Sequence, residues 1–142
     1  RTKDYLYIRN FEPERYPLGD PKGVTADKAP AANALENDTY AAFPDMDASP
    51  TKAWLIAHRN EKEWKSFYDY AFAKRAAEEL YDLRTDPEQL LNVAGDKAHE
   101  ATRKQLAEQL TKLLTDAGDP RLVEKDCRFE KSPFTDTLPR NK

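Results

Sequence analysis

Near the start of the chain Tyr5, Tyr7 and Arg9 fall on one side of an extended segment, and Leu6, Ile8 and Asn10 on the other. Period two with aromatic and β-branched residues predicts a strand. The period changes at Ser49-Pro50. A serine that accepts backbone N–H bonds, followed by a proline that lacks one, predicts a helix from Pro50 to about Arg59. That helix brings Trp54, Leu55 and His58 close together on one face. Asn60 is placed to cap a second helix, with Glu63 set for the reciprocal bond and an apolar set of Trp64, Phe67, Tyr68, Ala71 and Phe72. Lys74 and Arg75 suit its negative end. A second strand is expected at 79–83, antiparallel to the first, then a break at Asp86-Pro87 and one helical turn over 87–91. The clearest helix covers 97–117, with Leu106, Leu110, Leu113, Leu114 and Ala117 in one stripe. Gly118 is suited to end it in the left-handed region.

Between the first strand and the first helix, residues 13–48 offer neither period. Pro13, Pro17, Gly19 and Pro21 disrupt regular structure, and only Tyr16, Leu18, Leu35, Tyr40, Phe43 and Met46 stand out as anchors. This stretch is expected to be a long extended arm with a brief helical turn near 31–35. The chain as a whole reads as α+β: a small antiparallel sheet packed against a long C-terminal helix, with a long irregular arm. Residues 1–118 form the main body and 119–142 an irregular tail, in which 121–129 leave room for a short edge strand.

Charge narrows the functions. Twenty-three basic against 26 acidic side chains give a net charge of −3, with no basic field of the kind that holds nucleic acid. No apolar run approaches the ~18–20 residues of a membrane span. The first residue is not Met and the chain enters a strand almost at once, which reads as a cut through a longer protein.

Few residues suggest chemistry by themselves. Asp45 and Asp47 bring two carboxylates together just before a helix, a weak partial set for a hard cation without the glycine of a calcium loop; a polar turn is the plainer reading. Lys52, His58 and Arg59 are the basic groups nearest that loop. Their plain readings are helix surface for Lys52 and packing against Trp54 for His58. His99 stands without a second ligand at metal spacing, and Cys127 without a neighbouring histidine. Tyr5, Tyr7, Phe11, Tyr16, Tyr40 and Phe43 have the amphipathic bodies that stack on sugars, though strand and helix spacing accounts for several of them.

The phrase from Lys74-Arg75-Ala76-Ala77-Glu78 through Leu80-Tyr81-Asp82-Leu83-Arg84-Thr85-Asp86-Pro87-Glu88 to Asn92-Val93-Ala94 resembles the closing element of the C-terminal subdomain of sulfatases. The opening Arg1–Phe11 and Ser49-Pro50-Thr51-Lys52 are similar to the sulfamidase (N-sulfoglucosamine sulfohydrolase) branch of that family. The resemblance covers residues 1–118 and implies the C-terminal subdomain of an alkaline-phosphatase-like enzyme. Such an enzyme hydrolyses sulfate esters or N-sulfates of glycans in a periplasmic, secreted or lysosomal-like setting.

What marks a sulfatase reaction centre is missing here. The family signature is Cys or Ser followed by X-Pro-X-Arg, whose first residue becomes formylglycine; after Cys127 stand Phe129 and Lys131 instead. Formylglycine and calcium are therefore expected in a missing N-terminal catalytic domain. No catalytic or metal-binding residue is assigned to this chain, and the chain alone is expected to be inactive. The resemblance implies that residues 13–48 dock on that domain and that loops of this part border the glycan pocket. Asp45, Asp47, Lys52, His58 and Arg59 are then the substrate-side candidates. The alternative is a non-catalytic glycan- or protein-binding module.

Overall fold

The computed structural model describes residues 1–131. In chain order the elements are β1 (Tyr5–Arg9), α1 (Ala32–Asn37), α2 (Pro50–Ala57), α3 (Lys65–Phe72), β2 (Glu78–Asp82), α4 (Glu100–Asp116) and α5 (Pro120–Val123). Short 3-10 turns lie at Thr39–Ala41, Lys97–His99 and Arg128–Lys131. The fold is α+β, with a small two-stranded antiparallel sheet and a long C-terminal helix. The chain forms two compact units, one from Arg1–Pro13 and the described residues from Ala76 onward, the other from Glu14–Arg75.

In the first unit β1 and β2 pair as the alternation requires, with Tyr5 opposite Asp82, Tyr7 opposite Leu80 and Arg9 opposite Glu78. Those six side chains share the face toward α4: His99 meets Tyr5 ring to ring, and Arg103 pairs with Glu78. Leu80 is fully buried. The outer edge of β2 is closed by the sequence that follows it. The Asn92 side chain accepts the Leu80 N–H at 2.9 Å and donates to the Glu78 carbonyl, and the Val93 N–H donates to the Leu80 carbonyl.

Three expectations change in this unit. Residues 87–91 form no helical turn, because both oxygens of Asp86 take the N–H groups of Leu90 and Leu91 while Gln89 adopts a left-handed φ of 60°. Residues 121–129 form no edge strand among the described residues; Asp119 caps α5 by accepting the Arg121 N–H, and Pro120 opens it. The leucine stripe of α4 is not sunk in a core, for no residue of α4 is buried and Leu113 is 59% exposed. Geometry explains this: a 17-residue helix runs ~25 Å, whereas strands of 5 residues run ~17 Å and only two lie side by side. Gly118 ends the helix with φ 72°, as its position suggests.

The second unit has its own core of Val24, Leu35, Ala42, Phe43, Ala53, Ile56 and Phe72. Four of these come from the stretch expected to be an irregular arm. The helical turn expected near 31–35 is present as α1, which packs on α2, but the stretch also holds the turn at Thr39–Ala41 and supplies core instead of running as an extended arm. The absence of period hid this because its buried residues enter singly, between turns. Phe43 is one of them, held at a left-handed φ of 45° with its ring 4.6 Å from that of Phe72. Gly19 is required where it stands: φ is 85°, and a Cβ there would lie 2.8 Å from Cδ of Pro44.

Helix α2 starts as the sequence indicates, with the Ser49 Oγ accepting the Lys52 N–H and Pro50 in the first turn. Helix α3 starts later than expected. The Asn60 amide donates to the Ala26 carbonyl at 2.7 Å and so does not cap; Trp64 takes the capping position without a side-chain bond. Only the C-terminal part of the expected apolar face turns inward, with Phe72 buried and Tyr68 and Ala71 packed beside it.

Candidate functional site

The five substrate-side candidates all lie in the second unit: Asp45 and Asp47 on the loop before α2, Lys52 in its first turn, and His58 and Arg59 at its far end. Asp45 and Asp47 are exposed on that loop. Lys52 is not on the surface. One turn into α2, its side chain passes into the protein, and its Nζ donates to the carbonyls of Met46 at 2.7 Å, Thr39 at 3.0 Å and Phe43 at 3.2 Å. The ammonium is fully buried and its three N–H bonds each have an acceptor. Burial pulls its pKa below the ordinary lysine value, while the Asp38 and Asp47 carboxylates push it back up. The expectation of a substrate-binding lysine is therefore corrected: Lys52 fixes the loop that carries Asp45 and Asp47 and has no N–H left for a ligand.

Arg59 is corrected in the same way. It is buried, and its guanidinium donates to the carbonyls of Thr25, Ala26, Ile56 and Lys28, with bonds of 2.7 to 3.1 Å. Five N–H groups in a fixed fork match several carbonyls at once, and here they join the 25–28 loop to the end of α2.

His58 stays near the surface as the last residue of this set. Its ring lies 3.9 Å from that of Trp54, centroid to centroid, at 31°, and its Nδ1 is 2.6 Å from Oε1 of Glu61. Trp54 in turn meets Trp64 edge-on at 5.7 Å and 84°, and Trp64 lies 5.8 Å from Phe67. Trp54 is 49% exposed and Phe67 55%. The sequence signal for this patch was present in the four-residue step from Trp54 to His58 and the three-residue step from Trp64 to Phe67. The error lay in assigning Trp64 and Phe67 to the buried side of a longer helix.

Of the aromatics named for sugar stacking, Phe43, Tyr7 and Tyr5 have different tasks. Phe43 is core. The Tyr7 hydroxyl donates to Glu78 at 2.7 Å, and the Arg84 guanidinium lies over the Tyr5 ring. In this row beneath α4 the hydrogen bond from Tyr7, supported by Arg103 and Arg9, holds the Glu78 carboxyl below its usual range against the opposing effect of burial. Hydrogen bonds from Arg84 hold Asp82 lower still, with His99 3.7 Å away adding to the effect. Glu78, Asp82 and Arg84 belong to the 74–94 stretch, and each closes the turn after β2 or ties β2 to its neighbours.

Cys127 is a half-buried free thiol. Among the described residues no three His, Cys, Asp or Glu side chains converge to hold a metal. Among the same residues no helix is long and apolar enough to cross a membrane. No family model, curated protein or solved structure matches the chain.

Proposed function

We propose that the chain is the C-terminal part of a sulfatase that removes sulfate esters or N-sulfates from glycans. Its own task is to pack against the catalytic domain and to border the substrate pocket with the Asp45–Asp47 loop and His58. Lys52 and Arg59 serve that pocket indirectly, by fixing the loops around it. Calcium and formylglycine belong to the catalytic domain, and no bond-breaking step is assigned to a residue of this chain.

Beyond the sequence phrase, the observation that carries this reading is the open sheet of the first unit. Leu83 donates to Asp4, and Asn10 to Ala77, so Leu6 and Ile8 also turn their backbone groups toward β2. Tyr5, Tyr7 and Arg9 turn theirs away. Tyr5 is satisfied by Thr2, while Tyr7 and Arg9 bond through that edge to no described residue. Beside the edge, between β1 and α4, run two cavities of 120 and 260 Å³ that share Tyr7 and Leu110. A two-stranded sheet is marginal in water, and an open edge over half-covered leucines is what packing against a larger body would complete.

The test is the coding sequence upstream of Arg1 together with turnover by its full product. A Cys- or Ser-X-Pro-X-Arg motif, and calcium-dependent hydrolysis of glucosamine N-sulfate or an aryl sulfate, are expected. A reading frame that opens immediately before Arg1 refutes the proposal.

A further inference from the structure

We propose that Trp54, His58, Glu61, Trp64 and Phe67 form a carbohydrate platform that takes an uncharged run of hexopyranose rings. It shares His58 with the pocket border proposed above, but its argument stands on residues 54–67 alone, whether or not the chain belongs to a sulfatase.

Three observations select this occupant. First, both tryptophans of the chain are in the patch, where they meet edge to face at 84°, and Trp54 is half exposed, so aromatic surface is presented to sugar C–H groups. Trp54 is held from one side by His58 and from another by Trp64, which limits the ordering cost of binding. Second, the patch is aromatic and polar, not aliphatic. Neither indole N–H is bonded to another described residue, and the His58–Glu61 pair supplies a carboxylate and a ring nitrogen beside the rings. Aromatic bodies with directional donors and acceptors at their edges match a sugar, which presents C–H groups on its ring faces and hydroxyls around its rim. Third, the local charges cancel. Glu61, Lys62, Glu63 and Lys65 alternate in sign, and Lys65 is paired with Asp69 at 2.5 Å, so no arginine fork or lysine cluster waits for sulfates. The platform suits the unsulfated stretches of a polysaccharide.

Because both tryptophans lie in the patch, their fluorescence reads occupancy directly. The whole chain is titrated with cellohexaose, chitohexaose and a fully sulfated heparin hexasaccharide. A saturable emission change with at least one of the two unsulfated sugars is expected. Calorimetry should show binding weakened at least tenfold in Trp54→Ala and at least threefold in Phe67→Ala, with circular dichroism unchanged. Should Trp54→Ala fail to fold, Phe67→Ala, at a more exposed position, carries the comparison. Absence of any saturable change with the unsulfated sugars through about 10 mM, weaker than ordinary specific affinities, overturns the proposal. So does binding confined to heparin and indifferent to Trp54→Ala. Self-association that disappears in Trp54→Ala without any sugar effect assigns the patch to a second copy and overturns it as well. None of these results touches the sulfatase reading, which is decided by the sequence upstream of Arg1.

Discussion

Replacing Lys52 by methionine keeps the length of the side chain and its apolar stem but removes the ammonium that joins three carbonyls. Hydrogen bonds from a charged donor contribute about 1.5–3 kcal/mol each, so three at 2.7, 3.0 and 3.2 Å represent roughly 4.5–9 kcal/mol before offsets. Against this stands the cost of burying an ammonium, several kcal/mol, which methionine avoids. The carbonyls of Thr39, Phe43 and Met46 are left behind, and the last two sit in the loop where Phe43 is held at φ 45°. A net loss of about 3–5 kcal/mol is expected, the range for breaking a buried charged arrangement from one side. Both tryptophans belong to the second unit, so urea unfolding followed by their fluorescence isolates the effect there. With a slope of roughly 1–3 kcal/mol/M the midpoint should fall by about 2 M. Lys52→Arg should not rescue it, because a planar fork cannot aim three donors as a tripod does. A Lys52→Met midpoint equal to that of the parent would refute the reasoning and return Lys52 to the list of surface groups.

Gly19→Ala should cost about 1–3 kcal/mol, since left-handed backbone alone costs an L-residue ~1–2 and the new methyl meets Pro44; Gly23→Ala, at φ 87° in open space, should cost less, and equal midpoints would disprove the clash. Leu80→Ala should destabilise the first unit by about 2–5 kcal/mol and Leu110→Ala by only about 1, because Leu110 borders cavities where Leu80 is fully enclosed; amide exchange in β2 compares them. The carboxyls of Glu78 and Asp82 are held below their ordinary range, so the stability they contribute is complete above about pH 5 and is lost as pH falls through their folded values. An acid titration of Asp82→Asn should accordingly be shallower than that of the parent, and parallel curves would contradict the assignment.

Strong local signals were legible in the sequence: the alternation of β1, the Ser49-Pro50 start of α2, the leucine period of α4 and the glycine that ends it. Each depends on neighbours within a turn or a strand length. What escaped depends on distant partners. Asn60 has the chemistry of a cap, but its amide was claimed by Ala26, thirty-four positions away. Lys52 and Arg59 carry no mark in the chain that separates a brace from a ligand group; only the convergence of carbonyls from Thr25–Lys28 and Thr39–Met46 turns them inward. The Trp54–Phe67 patch was half visible, since its spacings were noted while its exposure could not be.

The closure of β2 by Asn92 and Val93 has a consequence for the chain at high concentration. Free strand edges are templates for polymerisation, and a sheet with two of them can grow without limit. Here the Glu78 carbonyl, both backbone groups of Leu80 and the Asp82 carbonyl on the outer side of β2 already have partners. Among the described residues, β1 presents the more open edge for recruiting another strand. Two copies joining through it would consume both edges in a closed twofold pair, so strand addition stops at the dimer and offers no route to a fibre.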